Sequence, residues 1–206
     1  MENIERIIGL DPGSSESGMC VLDNGQIVAA FNLNYEQFWI KVTNYLLNRN
    51  CTVVIEDIRP YSLKLTPQVI DTCKLIGEAV YRLRNDCGVN VQLVTRFEVK
   101  KWVFDTFPVI ATEFATKKIE KKLFDACELL TRCEIRVDTN GKPPRKPSFI
   151  HVDDKIVTEA MKYFYRIPKP DPGDGYRYGL KDHSWQALGA ATYFTEKKSR
   201  LTYGSH

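Results

Sequence analysis

Residues 7–14, Ile7-Ile8-Gly9-Leu10-Asp11-Pro12-Gly13-Ser14, constrain this chain more than any other stretch. A short apolar run ends in a carboxylate, and Pro-Gly closes a tight turn directly after it. Met19-Cys20-Val21-Leu22 then reads as a second strand and residues 26–31 as a third. Asp11 therefore stands at the end of a buried strand, beside small residues that leave room for a ligand. A carboxylate there is costly unless it is paired or binds a cation. An Asp before Pro-Gly can also simply cap its own turn. What favours a ligand over a cap is a second acid delivered in the same way.

That acid closes the run Cys51-Thr52-Val53-Val54-Ile55-Glu56-Asp57. Val53-Val54-Ile55 has no polar face, as suits a central strand covered on both sides. Alternation along a strand sends Glu56 and Asp57 to opposite faces, so one of them can share a face with Asp11. Two acidic strand ends from distant parts of the chain can converge on one divalent cation, and oxygen ligation favours Mg²⁺ or Mn²⁺ over zinc. A third cluster lies in Lys181-Asp182-His183-Ser184-Trp185-Gln186-Ala187-Leu188-Gly189-Ala190-Ala191. This reads as a helix with an acid and an imidazole in its first turn and small residues for close packing on a sheet. Asp182 alone would be read as the helix N-cap; together with Asp11 and Glu56, a helix start facing a metal is the better reading.

In order and kind these segments resemble the RuvC-type Holliday junction resolvases of the ribonuclease H-like superfamily. Ile8-Gly9-Leu10-Asp11-Pro12-Gly13 is similar to that family's first strand, and Ile55-Glu56 to its fourth strand with the glutamate. Val99-Lys100-Lys101-Trp102-Val103 resembles its basic helix start, Asp154-Lys155-Ile156-Val157 its later Asp-Lys element, and residues 183–191 its last helix. The resemblance covers most of the chain apart from a basic insertion at about 107–148. It implies an α/β fold with a ribonuclease H-like mixed five-stranded sheet flanked by helices, in a single domain over residues 1–206. It also implies a structure-selective endonuclease that resolves four-way or branched DNA junctions by metal-dependent phosphodiester hydrolysis. Two Mg²⁺ (or Mn²⁺) ions would be held by Asp11, which bridges both, by Glu56 on one, and by Asp182 or His183 on the other. Lys100, Lys101 and Lys155 would meet phosphates, and the functional unit would be a homodimer paired through the long helix at 66–85.

One departure stands out. The family's last helix carries two metal-facing positions three residues apart, the second an aspartate, and here these fall on His183 and Gln186. Gln186 is neutral and a poorer ligand for a hard cation. Asp182 lies one turn before Gln186 and can share its face, so either Asp182 restores the missing charge or the site binds metal weakly. Three other readings follow. The first strand and turn also resemble the phosphate-binding turn of actin-like kinases, but those need two such domains and 206 residues are too few. A nuclease of the same fold with another nucleic-acid substrate is the second, and a binding protein that has lost turnover is the third.

Charge distribution sharpens the nucleic-acid reading. Residues 96–147 hold twelve Lys or Arg against eight Asp or Glu, a surplus of four beside a whole-chain net charge of +3. Lys117-Lys118 and Lys121-Lys122 line one face of an expected helix at 113–130. Lys142-Pro143-Pro144-Arg145-Lys146-Pro147 cannot be helical and reads as an exposed basic loop; Lys142, Arg145 and Lys146 are the expected phosphate contacts there. The six cysteines lack Cys-x-x-Cys spacing and read as free thiols in a reducing compartment. No apolar run approaches the roughly 20 residues that cross a bilayer, and the N-terminus lacks a signal-peptide pattern. A cytoplasmic protein of a bacterium, or of a phage in a bacterial host, is expected, with no membrane partner.

The remaining elements follow from periodicity. Residues 35–48 read as an amphipathic helix with Phe38, Trp39, Val42, Tyr45 and Leu46 inward. Residues 66–85 form a long helix introduced by Pro67, its expected stripe Val69, Ile70, Cys73, Ile76, Val80 and Leu83. A fifth strand falls at 89–94, a helix at 155–165, and an irregular Pro- and Gly-rich loop at 168–175.

Overall fold

A computed structural model describes residues 5–46, 51–58, 66–107, 155–170 and 175–203 of the chain. The expected helix at 113–130, the basic loop with Lys142, Arg145 and Lys146, and all of the insertion beyond Phe107 lie outside the described residues.

Strands β1 (Arg6–Asp11), β2 (Ser17–Asp23) and β3 (Gln26–Leu33) run as an antiparallel meander, followed by helix α1 (Tyr35–Leu46). Strand β4 (Cys51–Asp57) returns parallel to β1. Helix α2 (Pro67–Tyr81) continues into a wider turn at Arg82–Asp86 and leads to β5 (Asn90–Thr95), which lies parallel to β4. Helices α3 (Arg96–Thr106), α4 (Lys155–Phe164) and α5 (His183–Tyr203) follow. The sheet order is β3-β2-β1-β4-β5, the mixed five-stranded α/β arrangement expected from the sequence.

Period-two alternation divides the core between the two faces of the sheet. Ile8, Leu10, Val53 and Ile55 point to one side and pack with Phe38 and Val42 of α1, Ile76 and Ala79 of α2, and Leu83 of the turn that follows. Ile7, Cys20, Leu22, Val54 and Val94 point to the other and meet α3, α4 and α5. The stripe of α2 is rotated from expectation: Thr72, Leu75, Ile76, Ala79 and the following Leu83 are buried, while Ile70 and Cys73 are exposed. This helix carries more apolar side chains than one face accommodates, so spacing alone does not select the face that meets β4.

Helix α5 lies directly on the sheet because two strand positions have no side chain. A Cβ at Gly9 would stand 2.1 Å from the Ala187 carbonyl oxygen, and one at Gly18 2.1 Å from that of His183. Gly18 is the cross-strand partner of Asp11. The start of α5 is thereby set over the end of β1. At the opposite end of β1, Arg6 donates from Nε and Nη2 to Asp23 Oδ1 and Oδ2 at 2.7 and 2.6 Å.

Candidate active site

The parallel register of β1 and β4 pairs Leu10 with Ile55, which sets Asp11 and Glu56 side by side at adjacent strand ends. Glu56 shares the α5 face with Asp11 and is buried, whereas Asp57 turns the other way and is only half-buried. The side chains of Asp11 and Glu56 are 5% and 3% exposed. Two carboxylates this deeply desolvated and this close repel one another unless positive charge joins them.

Arg96 supplies that charge. Its Nε donates to Glu56 Oε1 at 2.6 Å, and its Nη2 lies 3.6 Å from Asp11 Oδ1. Thr95 and Glu98 form a capping box, with Thr95 N–H donating to Glu98 Oε2 at 2.8 Å and Glu98 N–H to Thr95 Oγ1 at 3.2 Å. This locks the first turn of α3 and therefore the backbone of Arg96. Sequence reasoning counted Arg96 only in a regional charge surplus. The signal that finds it is positional: in parallel β4 and β5, Asp57 pairs with Thr95, so the residue after β5 stands beside the acids that end β4.

His183 completes the group from α5. Its Nδ1 lies 2.9 Å from Asp11 Oδ2, and that hydrogen bond raises the imidazole pKa against the opposing effect of partial burial. The helix start is held by Asn32 of β3, whose Oδ1 accepts from the Ser184 N–H at 2.9 Å, and by Ser184 Oγ, which accepts from the Lys181 N–H at 2.7 Å. Asp182 does not cap the helix. It adopts φ 36°, away from the extended backbone of a capping residue, and its carboxylate is exposed with Lys181 Nζ 3.6 Å away. The structure thus brings together Asp11, Glu56 and His183, and turns Asp182 outward on the rim.

An opening of about 690 Å³ begins at this rim and is lined by Arg96, Lys155, Asp182, His183, Trp185 and Gln186, among others. Lys155 and Gln186 therefore share the opening with the histidine. Lys101 is exposed and pairs with Asp105 at 2.6 Å. Lys100 corrects the sequence expectation of a surface lysine. It is buried on α3 beside Val99 and Val103, because Trp102, Val103 and Val99 set the rotation of that short helix.

The donors suit a hard cation. Two carboxylates separated by one guanidinium form a seat for positive charge, with an imidazole on one of them and an amide side chain lining the same opening. Among the described residues no group of three or more His, Cys, Asp or Glu is already gathered closely enough to hold an ion. Asp11 and Glu56 both reach the Arg96 guanidinium, so this pair of oxygen donors already accommodates one positive group. Among the described residues no helix is long and apolar enough to cross a membrane.

No family model and no curated protein sequence matches the chain. Solved structures do match. The RuvC of Thermus thermophilus in complex with a Holliday junction substrate is similar at a TM-score of 0.54 and 12% identity, over 96% of this chain and 97% of that one. A second Thermus thermophilus RuvC structure is similar at 0.54 and 13% over the same shares. The chain has a RuvC-like fold.

Proposed function

We propose that this chain, with its RuvC-like fold, is a divalent-metal-dependent endonuclease acting on four-way or otherwise branched DNA. The observation that carries the reading is the convergence of Asp11 and Glu56 at adjacent parallel strand ends, with His183 bonded to Asp11. Asp11 and Glu56 are the residues to hold Mg²⁺ or Mn²⁺, with His183, or Asp182 after rotation, toward a second ion. When bound, such a cation supplies Lewis-acid stabilisation of charge growing on the phosphate oxygens. The protein's own groups do the rest. Asp11 orients the His183 ring through Nδ1 and raises its basicity. Where Asp182 rather than His183 serves the second ion, Nε2 is suited instead to take a proton from an attacking water. Lys155 stands at the opening where a phosphate would enter; Lys101 and, by charge alone, Lys142, Arg145 and Lys146 are further proposed phosphate contacts. Two strands of a symmetric junction call for two such sites, hence a homodimer. The outward Ile70 and Tyr81 of α2 are suitable contacts.

Gln186 in the opening favours one other reading, a nucleic-acid-binding protein of this fold without turnover. Cleavage of an end-labelled four-way junction in Mg²⁺ or Mn²⁺, beside plain duplex and an RNA–DNA hybrid, decides between them. Metal-dependent incision of the junction above the other two supports the proposal. Preferential cutting of the hybrid reassigns the substrate, and tight junction binding with no incision in either metal selects the binding protein.

A further inference from the structure

Arg96 is an unexpected residue where it stands. It is the first residue of α3, and a cation in the first turn opposes the helix dipole. The capping box fixes its backbone, so the side chain reaches the carboxylates from a rigid base. Its guanidinium is divided between two acids from different strands, 2.6 Å from Glu56 and 3.6 Å from Asp11, and its side chain is 40% exposed. The same side chain lines the opening with Lys155. A guanidinium does not deprotonate, so only displacement removes this charge.

We propose that Arg96 is a built-in countercation that holds Asp11 and Glu56 together in the metal-free protein and competes with the divalent cation for them. Binding the metal is then an exchange of one positive charge for another, with Arg96 moving into the opening beside Lys155. This rests on the cation-binding reading of Asp11 and Glu56 given above. Arg96 acts as a positioning residue, and its removal has opposite consequences for the two states. Without metal, two buried acids lose the guanidinium they share. With metal, the cation loses its competitor.

Mn²⁺ binding to the full chain without DNA, read by the free-ion paramagnetic resonance signal, tests this for the parent, Arg96→Gln, Arg96→Lys and Asp11→Asn. Arg96→Gln is expected to bind Mn²⁺ roughly tenfold tighter than the parent, the fold-change that corresponds to losing one charge-assisted contact. Arg96→Lys, which keeps a charge but not the two-armed reach, falls between them and serves if the glutamine variant does not fold. Thermal unfolding should show Arg96→Gln melting below the parent without metal and gaining more from saturating Mn²⁺. Mn²⁺ binding that needs Asp11 yet is equal or weaker in both Arg96 variants overturns the proposal and leaves the cation site standing. Binding that is absent from the parent, or unchanged in Asp11→Asn, sinks the cation reading and this inference with it.

Discussion

Strand β1 begins with an arginine held by an acid and ends with an acid held by an arginine. At its start Arg6 grips Asp23 of the neighbouring strand with two short bonds, its side chain 8% exposed. At its end Asp11 shares Arg96 with Glu56, and the guanidinium is far more open. The first pair is a bidentate fork whose guanidinium lies over the Tyr45 ring and also donates to the Tyr45 carbonyl. The second places two acids on one guanidinium, with the His183 ring on one of them, beside an opening of about 690 Å³. The first fork ties β1 to β2. On the cation-binding proposal, the second arrangement takes a metal in exchange for Arg96.

The strongest way to break this contrast is neutralisation. Asp11→Asn or Glu56→Gln should lower junction cleavage by about two orders of magnitude or more, since each removes an anionic metal ligand. Junction affinity should stay at the parental level if the proposed phosphate contacts, Lys155 and the other basic residues, carry binding. Asp23→Asn should cut at the parental rate within about twofold, as a pair remote from the chemistry does. Near-parental cleavage by Asp11→Asn would dissolve the distinction between the two ends.

Between the ends, the seat of α5 is the next largest effect. Gly9→Val would drive Cβ into the Ala187 carbonyl at 2.1 Å, and should cost more than about 3 kcal/mol in urea unfolding, as overpacking against rigid backbone does. Ile8→Val, one residue away on the opposite face, should cost about 1 kcal/mol. Equal losses would mean that α5 is not seated through the glycine.

Arg6→Ala should cost about 1–3 kcal/mol, because half-buried Asp23 loses a two-armed charge-assisted contact. Saturating Mn²⁺ should not recover it. Recovery would make the start of β1 a cation site too and erase the comparison. The smallest effects test the rim. His183→Ala should slow cleavage by about tenfold or more, as losing a positioned proton acceptor does, while Asp182→Asn should change it by no more than about twofold, as an exposed surface pair does. A reversal of that order, measured under single turnover, would move the functional role from the imidazole to the exposed carboxylate.

The local pattern carried far in this chain. Apolar runs ended by Asp11 and Glu56 located the strand ends, and period-two alternation required Glu56 and Asp57 to part, only one of them joining the face of Asp11. The small residues around Gly189 announced a helix lying close on the sheet. All of these are properties of neighbours along the chain, where covalent geometry sets the direction of each side chain. Three matters were not local. Asp182 and His183 are adjacent in sequence, yet the left-handed backbone at Asp182 and the Asn32 cap on Ser184 turn one outward and the other onto Asp11. Lys100 looked like a surface lysine until Trp102 and Val99 took the core and rotated α3. Arg96 meets Glu56 across 40 residues of chain, through a parallel pairing that only the assembled sheet makes. Sequence determined which groups stand at the ends of elements; the packing of helices on the sheet decided which of them meet, because rotation and register are set by contacts between segments and not within them.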